Sequence, residues 1–207
     1  MSATTPAWVH ERPFRNWNPL DLRPRAQPPK WPGQTALDTA PGGPFAIFAS
    51  IADGWAAGGL WLMMAHDLWG LVTPRKMITT FAPWTENNTD AYIATVCKPL
   101  GITGDTPVNP HDPMFRRAML RAMAHVEDYK VVWEAAPLDS GNLLADARWT
   151  QFRADYLVGQ AVSPRGRVSA SVATVSVAAA EEMGHNSGVT ADDLMRQELQ
   201  EIEAGKG

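Results

Sequence analysis

The stretch Ser50–Leu71, SIADGWAAGGLWLMMAHDLWGL, decides the fold class. Ser50 and Asp53 stand at capping-box spacing, and Trp55, Leu60, Met63 or Met64, and Leu68 recur at roughly helical intervals, which predicts a helix from about Ile51 to Leu68. Its charge-free part, Gly54 to Ala65, is shorter than the roughly 20 apolar residues needed to span a bilayer, so the helix is expected in a protein core and no membrane span is predicted. Gly58 and Gly59 each cost about 1 kcal/mol relative to Ala in a helix interior, a cost that fits a site of close packing.

Working outward, Thr73-Pro74 opens a second helix that runs to about Phe81 before Pro83, with Pro at an allowed first-turn position. In APWTENNTDAYIATVCKPLGI, Asn88 or Thr89 is the expected N-cap. Ala91, Tyr92, Thr95 and Val96 begin an inward face, and Pro99 with Gly101 closes the helix. After the turn-rich loop GDTPVNPHDP, Asp112-Pro113 opens MFRRAMLRAMAHVEDY. Phe115, Met119, Ala122, Met123 and Val126 make its apolar stripe, and Arg116, Arg117 and Arg121 its wet face. Helices with little strand predict a compact, mainly α domain over residues 45–147.

The flanks differ in kind. Residues 1–44 are rich in Pro, Arg, Gly and Trp, and PRAQPPKWPGQ cannot propagate a helix, because each Pro removes a donor and restricts its predecessor. An extended segment packed on the domain is expected, tacked down by Trp8, Phe14, Trp17 and Trp31. Residues 148–189 are read as a linker, with a low-complexity Ala/Ser/Val tract at 161–180 whose β-branched residues also permit a strand added to a partner's sheet. Thr190 with Asp193 and the spacing of Met195, Leu199 and Ile202 predict an amphipathic helix over 190–205 that docks on other proteins.

Composition bounds the function. Nine Trp in 207 residues, with 45% hydrophobic content, exclude a chain disordered throughout, and one Cys excludes an intramolecular disulfide and a zinc site of paired thiolates. The net charge of -4 is local: from Glu181 onward Glu181, Glu182, Asp192, Asp193, Glu198, Glu201 and Glu203 face only Arg196 and Lys206. No overall positive field invites nucleic acid. The start, MSATTPAWVHERPF, lacks the apolar run of a secretory signal. The five His (10, 66, 111, 125, 185) show no i, i+4 pairing or clustering in the sequence, so neither metal nor cofactor is predicted.

The central residues resemble a family. Arg15-Asn16-Trp17-Asn18-Pro19-Leu20-Asp21-Leu22-Arg23, Trp31-x-Gly33-Gln34, Phe45-Ala46-Ile47-Phe48 and Gly54-x-Ala56 resemble the phage and prophage virion-protein domain that begins Arg-Asn-Asn-Asn-Pro-Gly-Asn-Ile-Arg. Phe81-Ala82-Pro83, Glu86-Asn87-Asn88-Thr89, Tyr92-Ile93, Val96, Leu100-Gly101-Ile102, Asp112-Pro113 and Glu127 keep that family's order over about residues 12–135. The resemblance implies a structural protein of the phage particle, made in the host cytoplasm and carrying a domain similar to lysozyme-like peptidoglycan hydrolases. It implies peptidoglycan as a ligand and other virion proteins as partners of the C-terminal tail. An active virion-associated glycosidase, and a non-catalytic cell-wall-binding module, are the alternatives.

Glycoside hydrolysis needs a carboxylic acid in a partly apolar pocket, commonly opposite a second carboxylate. Glu127, after Val126 on the last predicted helix of the domain, is the candidate general acid, and Glu86 or Asp90 its candidate partner. Asn16, Asn18, Asn87 and Thr89 are candidate sugar-binding groups, with Tyr92 or Trp84 as a stacking platform. An ordinary solvated helix end is the alternative for Glu127, and an N-cap with core aromatics for the Asn-rich turn. Two departures point to a degenerate site: the family's Pro-Gly-Asn-Ile turn is Pro19-Leu20-Asp21-Leu22 here, and its His-Glu-Asn-Gly is His125-Val126-Glu127-Asp128.

Overall fold

The computed structural model describes residues 12–25, 29–85, 87–127 and 135–162. It is mainly helical: α1 (Arg12–Arg15), α2 (Ile51–Trp69), α3 (Pro74–Phe81), α4 (Thr89–Leu100), α5 (Pro113–Val126) and α6 (Ala135–Val162), with a hairpin of β1 (Gln34–Asp38) and β2 (Phe45–Phe48). The strands pair antiparallel, Asp38 opposite Phe45 and Gln34 opposite Phe48, with an irregularity between Gln34 and Ala36. The chain divides into a unit of Met1–Arg153, which carries every site residue described below, and one of Ala154–Gly207. The predicted docking residues Met195, Leu199 and Ile202, the helix over 190–205 and the linker beyond Val162 lie outside the described residues.

Helix α2 is the axis of the domain. Every residue from Gly54 to Ala65 is buried, as the charge-free run requires. Ser50 caps it: its Oγ accepts from the Asp53 N–H at 3.1 Å and donates to the Asp53 carboxylate at 2.6 Å. Gly70 ends it in the left-handed conformation, φ 66°, at no steric cost. The interior glycines are where neighbours come closest. A Cβ on Gly54 would stand 2.0 Å from the Trp17 carbonyl oxygen, and one on Gly58 2.5 Å from Leu20 Cδ1, so the N-terminal segment lies directly on the helix backbone.

That segment is extended in part. It contains one helical turn, α1, and the strand β1, which sequence reading alone did not resolve. Trp31 is buried, stacked on Phe152 at 5.5 Å, and donates its indole N–H to the Arg23 carbonyl at 2.9 Å. Its arginines are paired or stacked: Arg15 meets Asp38 at 2.5 Å, Arg12 meets Asp21 at 2.6 Å, Arg12 and Arg23 lie over the Phe45 ring, and Arg25 lies over Trp31 and Phe152. Hydrogen bonds from Asn16, the Ala40 N–H and Arg15 hold the Asp38 carboxyl at a pKa of about 2. An unfolded Asp titrates near about 4, so on acidification the unfolded state takes up the proton first. The stabilisation is complete above about pH 4 and is lost as pH falls toward about 2. Asp38→Asn should therefore flatten the fall in urea midpoint between these pH values relative to wild type.

Helices α3, α4 and α5 pack in sequence, and α5 returns to α2. Thr73, Asn88 and Asp112 cap them through side-chain oxygens, as the sequence predicts. Two corrections concern faces. The inward face of α4 is Tyr92, Ile93, Val96 and Cys97; Ala91 and Thr95 are exposed, and Thr95 donates to the Ala91 carbonyl instead. On α5, Arg116 is fully buried rather than wet, while Arg121 is exposed.

The cause of the second correction is α6. Residues 148–162, read as linker from sequence, are helical, and the helix begins at Ala135. Gly141 fits it against α2, since a Cβ there would lie 2.3 Å from Trp55 Cβ and 2.8 Å from the Ala52 carbonyl oxygen. Arg148 meets Asp53 at 2.8 Å, and Arg117 pairs with Asp139. Arg116 then has partners a solvent face would not supply: Asn142 Oδ1 at 2.5 Å, Asp146 Oδ2 at 2.7 Å, and the Pro110 and Asn142 carbonyls at 2.8 and 3.1 Å. A guanidinium is buried only when its donors are satisfied in this way.

Candidate functional site

Glu127 follows the last residue of α5 and caps it, its N–H donating to the Met123 carbonyl at 3.2 Å. It is half-buried and lies beside the phenol of Tyr92. Burial pushes the Tyr92 phenol well up, and the charge of Glu127 and a hydrogen bond to it act in the same direction, because both favour the protonated phenol. The phenol also points at the Met123 carbonyl, at 3.4 Å. Helix α4 thus fixes the carboxylate at the end of α5.

Aromatic rings lead away from this point. Tyr92 meets Phe81 edge-on at 6.5 Å, Phe81 meets Trp61 at 4.9 Å, and Trp61 meets Trp69 at 6.3 Å. Tyr92 and Trp61 are buried, Phe81 is half-buried and Trp69 is 40% exposed. At 3% exposure Tyr92 orients Glu127 and offers no face to a sugar. Trp84, on the segment joining α3 to α4, is 76% exposed, so of the two candidate stacking rings it is the one open to solvent.

The remaining predicted residues are dispersed. Asn18 is fully buried: its Oδ1 accepts from the Leu22 N–H at 2.9 Å and its amide donates to the Leu22 and Ala46 carbonyls at 3.0 and 2.9 Å. Asn16 is buried with its amide on Asp38. Both side chains are committed to holding the N-terminal segment. Thr89 is buried and donates to the Ala82 carbonyl at 2.8 Å, whereas Asn87 is exposed on the Trp84 segment. Glu86 lies outside the described residues, and Asp90 is exposed and faces Arg75 at 3.4 Å.

Two features escaped the sequence. A cavity of about 310 Å³ is lined by Arg75, Ile93, Cys97, Lys98 and Thr103 among others. Burial raises the Cys97 thiol, with Arg75 opposing it, and the buried sulfur packs as a small apolar group. The second is a correction: His66 and His111 do cluster, one on each side of the Asp67 carboxylate. Fold topology rather than local spacing brings them together. No family model and no curated protein matches the chain.

Proposed function

We propose that the chain is a structural protein of a bacteriophage particle whose helical, lysozyme-like domain engages peptidoglycan on the face carrying Glu127 and Trp84. The observation that carries the reading is the meeting of Glu127 and Tyr92, two residues of the family-like pattern, at the end of an aromatic run. A half-buried carboxylate held by a buried phenol, together with the exposed indole of Trp84 and the exposed Asn87 on the segment joining α3 to α4, supplies the chemistry that grips an amino sugar by stacking and hydrogen bonds. The C-terminal tail, in this reading, attaches the domain to other virion proteins.

A degenerate catalytic centre accompanies it. Asn16 and Asn18 are spent on the fold, and Leu20 stands where the family carries Gly. The active glycosidase is the second reading, favoured by the half-buried position of Glu127 against Tyr92. A zymogram on peptidoglycan with wild type beside Glu127→Gln separates the two. The first reading expects no clearing by either protein; clearing by wild type that is lost in Glu127→Gln establishes the second. In purified particles, the full chain should be present and a chain lacking residues 185–207 absent, and retention of the shortened chain would contradict the tail's assigned role.

A further inference from the structure

We propose that His66, Asp67 and His111 form a binding site for one divalent transition-metal ion of the zinc class. The last turn of α2 supplies His66 and Asp67, and the loop before α5 supplies His111. Asp67 Oδ1 lies 2.7 Å from His66 Nδ1, and Asp67 Oδ2 lies 3.0 Å from His111 Nε2. One ligand atom from each residue falls within 4.8 Å of the others. Zinc takes imidazole nitrogen and carboxylate oxygen at about 2.0–2.2 Å, which separates tetrahedral ligands by roughly 3.4 Å. The spacing therefore needs adjustment of the order of an ångström, within reach of side-chain rotation.

The donor set selects the ion. Two imidazoles and one carboxylate suit zinc, nickel or cobalt, whereas calcium and magnesium require mostly oxygen ligands. Three protein ligands leave a position for water, and the side chains are 26%, 24% and 37% exposed for His66, Asp67 and His111, so the site is open to solvent.

The loop bearing His111 is held in place without an ion. The Val108 N–H donates to the Val72 carbonyl at 2.9 Å, and buried Arg116 donates to the Pro110 carbonyl at 2.8 Å, one residue from His111. The His111 ring stands edge-on to His66 at 6.2 Å and to Trp149 at 5.8 Å. Much of the ordering cost of assembling ligands from two elements is thus met by the fold. An ion here clamps the end of α2 to the loop before α5, independently of the peptidoglycan-binding face.

The test uses the tag-free full chain, stripped with chelator and titrated with zinc chloride at pH 7.5 in competition with a chromogenic chelator. Cobalt(II) absorption reports the ligand geometry, and Trp149 lies close enough to His111 to be quenched by nickel(II). One zinc per chain is expected, with a zinc-dependent rise in melting temperature. His66→Ala and His111→Ala should each weaken binding at least about tenfold while the metal-free proteins melt as wild type does. Absence of zinc binding by wild type overturns the proposal, as does binding that survives in both variants, which places the ion on other histidines.

Discussion

Arg116→Ala should lower the unfolding free energy by about 3–5 kcal/mol, and Arg116→Met by about half as much. The guanidinium is fully buried and joins three elements: its own helix α5, α6 through Asn142 and Asp146, and the loop at Pro110. Alanine leaves a cavity and strands the Asn142 amide oxygen and the Pro110 carbonyl, whereas half-exposed Asp146 returns to water. Methionine fills much of the volume and makes no hydrogen bond. The ranking Ala below Met below wild type in urea midpoints checks this. A change under about 1 kcal/mol for Arg116→Ala would mean that α6 is not held on α5 as described.

Asn18→Ala should cost about 3–4 kcal/mol, because the Leu22 N–H and the Ala46 carbonyl lose their side-chain partner in a site closed to water. The Leu22 carbonyl keeps the Ala46 N–H at 2.8 Å, which limits the loss. Asn18→Asp should be no better, since the replacement turns an acceptor toward two carbonyl oxygens. Chemical denaturation gives the number. The outcome that would refute the structural role is near-wild-type stability in Asn18→Ala combined with loss of ligand binding, which is the result a sugar-binding Asn18 would give.

The elements read best from sequence were those whose signals are local. Ser50, Thr73, Asn88 and Asp112 each cap the helix that their side chains predict, and the charge-free run from Gly54 to Ala65 is buried throughout. What the sequence concealed depends on contacts between distant segments. Arg116 shares a helical periodicity with Arg117 and Arg121, and only the arrival of Asn142 and Asp146 distinguishes it. Helix α6 carries Gly141 and Gly159 and a weak apolar pattern, so its first part, within the domain to residue 147, gives no helix signal and its remainder from 148 reads as linker. Gly141 is there because α2 comes too close for a side chain.

The candidate site divides the same way. Glu127 and Tyr92 were legible as members of one pattern, but that they touch follows from the packing of α4 on α5. Asn16 and Asn18 carry groups suited to a sugar, and nothing in a sequence tells an amide that binds a ligand from one that binds its own backbone. The pairing of His66 with His111 through Asp67 was invisible for a related reason, since one sits on α2 and the other in a loop.

The most direct test of the proposed peptidoglycan-binding face is co-sedimentation of the purified protein with sacculi from Gram-negative and Gram-positive bacteria. Wild type, Trp84→Ala and Glu127→Gln are compared at matched folded fraction, because both changes fall on exposed or half-exposed side chains. The account predicts that wild type pellets with sacculi, that Trp84→Ala binds about tenfold more weakly through loss of a stacking platform, and that Glu127→Gln loses a smaller share. Wild type remaining in the supernatant, or pelleting that is unchanged in both variants, would contradict it.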